Sequence, residues 1–144
     1  MVKDDAGQVA TPAARLGLKP GDAVGEIGYD DDVDHDLREA IIEEIGSDLL
    51  DEDADDVVDA VLLWWREEDG DLTDALVDGI TMLADHGVIW LLTPKTGRDG
   101  YVESSEIAEA TRTAGLAQTT SVPVSNGWMI ARLARQKSGK ARRA

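Results

Sequence analysis

Val57-Val58-Asp59-Ala60-Val61-Leu62-Leu63-Trp64-Trp65 is an almost unbroken run of β-branched, aliphatic and aromatic residues. A strand with one wet face alternates polar and apolar positions. A run that hardly alternates belongs to a strand covered on both faces, as in a parallel sheet between helices. Trp64 and Trp65 are neighbours and must project to opposite faces, so both faces need cover at that point. After the turn at Asp69-Gly70-Asp71, residues Leu72, Ala75, Leu76, Gly79, Ile80 and Leu83 recur at helical spacing, and Gly87 is placed to cap the helix end. Val88-Ile89-Trp90-Leu91-Leu92-Thr93 is a second apolar run of strand length. Strand, helix and strand in this order predict a right-handed βαβ unit.

Working outward toward the amino end, Ala23-Val24-Gly25-Glu26-Ile27-Gly28 reads as a short strand entering the acidic loop Tyr29-Asp30-Asp31-Asp32-Val33-Asp34. Carboxylates in such a loop can cap the helix that follows, predicted from about Asp34 to Ile45 and ended by Gly46. Before it lie a short helical piece, Pro12 to Gly17, and a turn at Lys19-Pro20-Gly21-Asp22. Asp51 to Asp56 has almost nothing to bury and reads as loop or at most a frayed edge. Toward the carboxyl end, a glycine-containing loop from Pro94 to Gly100 leads to a helix over about Ser104 to Ala114, with Ile107, Ala110, Thr111 and Ala114 facing the sheet. Two β-rich segments, Ala117 to Val124 and Trp128 to Ala134, meet across Asn126-Gly127, a pair suited to a two-residue turn with positive φ. The expectation is an α/β fold, a single three-layer Rossmann-like domain with a mostly parallel sheet ending in an antiparallel β-hairpin. Residues 1–11 read as an N-terminal arm, 12–136 as the domain and 137–144 as a basic tail.

The chain has 144 residues, 42% apolar and 31% charged, enough for one domain with a real core. It contains no cysteine, which removes disulfides, thiolate catalysis and cysteine metal sites. Its opening lacks the pattern of a secretory signal, and no apolar run approaches the ~20 residues of a membrane span. A cytoplasmic protein without membrane association is expected. The net charge is −16, and its placement is uneven: Asp22 to Asp78 holds 23 acidic residues against two basic ones, Arg38 and Arg66. That stretch would repel a phosphate backbone, so nucleic acid is excluded as a partner of the acidic face. The segment Arg132 to Ala144 carries six cations and no acid.

Several constellations bear on chemistry. Glu26-x-Gly28-x-Asp30-x-Asp32 stands where a Rossmann-like protein carries its glycine-rich ligand loop. Aspartates at two glycine positions put side chains where backbone must approach a cofactor, and negative charge where a pyrophosphate would sit. Lys95 and Arg98, in the loop after the second buried strand, are the other candidates for ligand contact, at the carboxyl edge where α/β sheets bind ligands. The cofactor-binding candidates are therefore Gly28, Asp30, Asp32, Lys95 and Arg98, with no cofactor assigned. A calcium-loop count over Asp32, Asp34, Asp36 and Glu43 fails, because its sixth position is Leu37 where glycine is needed. His35 and His86 lie in separate elements with no nucleophile and acid in a triad order, so no catalytic residue is assigned.

Three stretches together, Val61-Leu62-Leu63-Trp64-Trp65-Arg66, Asp69-Gly70-Asp71-Leu72 with Asp74-Ala75-Leu76-Val77-Asp78, and Gly87 through Thr93-Pro94-Lys95-Thr96-Gly97-Arg98-Asp99-Gly100, resemble an actinobacterial family, the domain of unknown function numbered 3052. The resemblance covers nearly the whole chain, including Gly28 to Asp34. It brings no catalytic residue, and it agrees with a methyltransferase-like sheet. Two functional expectations follow. The first is a non-enzymatic interaction or regulatory domain that steers a basic protein partner to its acidic surface. The second is a divergent S-adenosylmethionine- or nucleotide-binding enzyme. Oligomeric state is not legible.

Overall fold

The computed structural model describes residues 18–51, 57–125 and 127–135. The expected arm, the Pro12 to Gly17 helix, most of the acidic 51–56 loop, Asn126 and the basic tail lie outside the described residues. The elements in chain order are β1 (Val24–Ile27), α1 (His35–Ile45), β2 (Val58–Trp64), a 3-10 turn (Glu67–Asp69), α2 (Leu72–Met82), β3 (Leu83–Pro94), α3 (Ser104–Thr113), β4 (Leu116–Ser125) and β5 (Trp128–Arg135).

The strands form one sheet in the order β1-β2-β3-β5-β4. β1 pairs parallel with β2, and β2 with β3. β5 then runs antiparallel between β3 and β4. The sheet is therefore mixed, with two parallel and two antiparallel pairings, where a mostly parallel sheet was expected. The reason is that β5 does not stay outside as the arm of an edge hairpin: it inserts beside the long central strand β3, and β4 becomes the edge.

Alternation along the two apolar runs divides the core into layers. Val61, Leu63 and Trp65 join Ile89 and Leu91 on one face, under Leu72 and Leu76 of α2 and Ala110 of α3. Leu62, Trp64, Trp90 and Leu92 lie on the other, under Leu37, Ile41 and Ile45 of α1. Trp64 and Trp65 thus do face opposite ways, and all four tryptophans are buried. No helix among the described residues is long and apolar enough to cross a membrane.

The helix ends follow local chemistry. Asp34 caps α1, its carboxylate accepting from the Leu37 N–H at 3.1 Å, and Gly46 closes the helix in the left-handed region at φ 83°. Asp71 caps α2 in the same way, through Thr73 and Asp74. Asp34→Ala should cost about 1 kcal/mol, read as a lowered midpoint in urea with an unchanged slope. A midpoint equal to wild type would show that the cap contributes nothing.

One boundary differs from the sequence reading. Gly87 does not cap α2, which ends at Met82 and passes directly into β3. The β2–β3 register jumps from Val58↔Leu83 to Ala60↔Val88, so the strand bulges over residues 84–87. A side chain at Gly87 would meet the Asp59 carbonyl oxygen at 3.0 Å. The glycine serves close approach of two strands, which in sequence looks the same as a helix stop.

Candidate functional site

In an open α/β sheet the ligand crevice lies outside the carboxyl ends of the parallel strands, where the chain crosses from one face to the other. Here that place is the end of β1, the loop 28–34 and the end of β2. Among the described residues, Arg66 and its partners occupy this place. Arg66, just past β2, is only 6% exposed. Its Nε and Nη2 donate to both oxygens of Asp32, at 3.0 and 2.5 Å. Its Nη1 donates to the backbone carbonyls of Gly28 at 2.8 Å and Trp64 at 3.2 Å, and to Asp69 at 3.3 Å. The planar fork of arginine is suited to hold a carboxylate and two converging carbonyls at once; a lysine has one point charge for the task.

Around this guanidinium the other groups close up. The Trp128 ring lies 5.4 Å from the Arg66 carbon and 5.6 Å from that of Arg98, and packs edge-on against Trp64 at 5.0 Å. Its indole N–H donates to the Asp32 carbonyl at 3.3 Å. Arg98 donates to the Gly127 carbonyl at 2.7 Å. One layer deeper, buried Glu26 accepts from Arg38 at 2.6 and 2.9 Å and from the Trp64 indole at 2.9 Å. Arg38 in turn sits 4.5 Å over the Tyr29 ring. The two cations of the acidic stretch are thus both spent on internal carboxylates.

Of the sequence candidates, Gly28, Asp32 and Arg98 meet in this network, through Arg66 and Trp128. Asp30 does not: it is exposed and its carboxylate accepts from the neighbouring Asp31 N–H. Lys95 lies apart, lining a cavity of about 440 Å³ between the end of β3, the start of α3 and the β4–β5 pair. Gly28, Asp32 and Arg98 do not line it. His35 and His86 stay exposed and separate, His35 against Tyr29 and His86 3.4 Å from Asp59. Sequence reasoning placed Glu26 in the loop pattern and the segment Trp65 to Asp69 at the same edge, but did not single out Arg66, Arg38 or Trp128 as members of the site. The available signal was the isolation of Arg38 and Arg66 among 23 acids, since a cation so outnumbered finds a carboxylate partner.

The Arg66 hydrogen bond holds the Asp32 carboxyl below its ordinary value, against the upward pull of burial. Burial pulls Arg66 down, but bonding to Asp32 and Asp69 outweighs it and raises the group overall. Because the folded-state value of Asp32 is lowered, its ionised form favours the fold. That contribution is intact above the unfolded value of about 3.9 and is lost as the pH falls below it. Asp32 is 47% exposed, so its share is modest. Asp32→Asn should lose about 1 kcal/mol at neutral pH, and the gap to wild type should close below about pH 4. A gap unchanged between pH 7 and pH 3, in urea titrations, would rule out the ionic part.

A family model, "Protein of unknown function (DUF3052)", matches residues 13–137. The chain belongs to this family. Uncharacterized proteins of Mycobacterium tuberculosis strain H37Rv and Mycobacterium bovis are each 52% identical to it over 131 residues, covering 91% of this chain and 82% of theirs. Among solved structures, this DUF3052 chain resembles magnesium protoporphyrin IX methyltransferase from Synechocystis with bound S-adenosylmethionine, at TM-score 0.52 and 14% identity over 86% of this chain and 74% of that one. It also resembles the ribosomal protein L11 methylase of Lactobacillus delbrueckii, at TM-score 0.55 and 16% identity, covering 87% and 75%. An O-methyltransferase of neocarzinostatin biosynthesis scores 0.63 at 14% identity, with 88% of this chain and 51% of that one covered. At these identities the likeness is one of fold: an α/β domain with a methyltransferase-like, Rossmann-like sheet.

Proposed function

We propose that this DUF3052 protein is a non-catalytic interaction or regulatory domain, derived from a ligand-binding fold whose crossover crevice it has filled with its own Arg66. The observation that carries the reading is the buried guanidinium, engaged by Asp32, Asp69 and the carbonyls of Gly28 and Trp64. A cofactor seated there would have to evict Arg66 and leave these acceptors and carboxylates without their donor, at a cost of about 1–3 kcal/mol for each buried group left unpaired. The loop's four aspartates, Asp30, Asp31, Asp32 and Asp34, would repel a phosphate.

The outer surface supports the interaction half of the reading. Asp36, Glu39 and Glu43 line the exposed side of α1, and Glu67, Glu68, Asp69 and Asp71 lie exposed at the carboxyl edge. Such a field steers a basic protein partner and weakens as salt screens it. Calorimetric titration of the full chain with S-adenosylmethionine, S-adenosylhomocysteine, ATP and NAD should give no saturable heat into the millimolar range. A deca-lysine peptide should bind, with affinity falling steeply from low to physiological ionic strength. Saturable binding of any of the four cofactors would carry the second reading, a divergent S-adenosylmethionine- or nucleotide-binding enzyme, which the fold itself favours.

A further inference from the structure

The cavity beside Lys95 has no part in the Arg66 network and lies on the opposite face of the sheet from α1. Thr93, Met129, Ala131 and Gln118 reach it from β3, β5 and β4, while Val102 and Ile107 close it from the α3 side. Its volume, about 440 Å³, falls within the range of small-molecule sites. Its wall joins an apolar part, from Pro94, Val102, Ile107, Met129, Ile130 and Ala131, to polar groups that include Lys95 and Ser104. Thr93, only 5% exposed, lines the cavity from the end of β3.

Positive charge gathers at the same place. Lys95 has no ion-pair partner among the described residues, unlike Arg38 and Arg66, in a chain of net charge −16. The first turn of α3 begins at Ser104, which lines the cavity, and its N-cap residue Glu103 makes no side-chain cap bond. The leading N–H groups of that helix therefore lack a side-chain acceptor, and the helix dipole favours an anion there. One cation without an ion-pair partner beside an apolar wall matches one negative charge on an apolar body.

We infer that this cavity is a binding site for a small apolar carboxylate, with Lys95 and the start of α3 holding the carboxylate and the β3–β5 wall holding the apolar part. The site is independent of the crossover crevice, and its ligand would be a regulator or cargo of the interaction domain.

Amide NMR titration of the full chain with 2-naphthoate, and with 2-naphthylmethanol as the uncharged counterpart, tests this. Naphthoate should give saturable shifts at Thr93, Val102, Ile107 and Met129, and bind more tightly than the alcohol. Lys95→Gln should weaken naphthoate roughly tenfold while leaving the alcohol within about twofold, and Lys95→Arg should retain most of the naphthoate affinity. Absence of saturation into the millimolar range, shifts centred elsewhere, or naphthoate affinity unchanged in Lys95→Gln would each overturn the inference.

Discussion

Gly28→Ala should destabilise the protein by about 3–5 kcal/mol, the largest loss expected from adding a single methyl group to this chain. Two costs add. Gly28 has φ 83°, a region that an L-residue enters at a penalty of about 1 kcal/mol or more. The new Cβ would also fall 2.2 Å from the carbonyl oxygen of Trp64 and 3.3 Å from its carbonyl carbon. These are backbone atoms of the central part of the sheet, so no rotamer change can make room. The end of β1 must move away from β2, and that movement would pull the Gly28 carbonyl off the Arg66 guanidinium, which lies 2.8 Å away. Thermal unfolding followed by tryptophan fluorescence should show a fall of about 10 °C or more. A loss below about 1 kcal/mol would mean that the approach of loop to strand is not tight in solution.

Arg66→Met should cost about 2–4 kcal/mol while keeping the aliphatic stem. The loss arises less from the ion pair with half-exposed Asp32 than from the two backbone carbonyls, Gly28 and Trp64, that would lose a buried donor. Arg66→Lys should recover part of the loss and not all, because one ammonium cannot reach two carbonyls and two carboxylates. The double variant with Asp32→Asn should lose less than the sum of the two single variants, by about 1 kcal/mol. Equal stability of Arg66→Met and wild type in urea would remove the guanidinium from its structural role.

The parts of this molecule that were legible in sequence are those set by local period and local chemistry. The runs 57–65 and 88–93, the α1 and α2 caps at Asp34 and Asp71, and the Gly46 stop all obey rules that operate over four or five residues. Three features did not obey such rules. The bulge at 84–87 depends on which residues of β2 lie opposite, and a glycine there carries no mark that separates it from a helix stop. The insertion of β5 beside β3 is a choice of partner between elements far apart in the chain. The filling of the crevice joins Arg66 to Gly28 and Asp32, 38 and 34 positions away.

The candidate site shows the same division. The carboxylates standing where a Rossmann-like loop carries bare backbone could be read directly. What occupies the space instead could not, beyond the hint of two lone arginines in an acidic stretch. Lys95 was visible as a cation at the carboxyl edge, whereas the cavity it lines is assembled from β3, α3, β4 and β5 and has no sequence signature.

Whether Arg66 is a fixed internal part of the crossover crevice is tested most directly by side-chain NMR of its Nε–H in the full chain, recorded with and without millimolar S-adenosylmethionine. A guanidinium locked on Asp32 and two carbonyls should give a sharp, slowly exchanging resonance that the ligand leaves in place. Loss or displacement of that resonance on adding S-adenosylmethionine, together with shifts in the Gly28, Asp32 and Trp128 amides, would contradict the account.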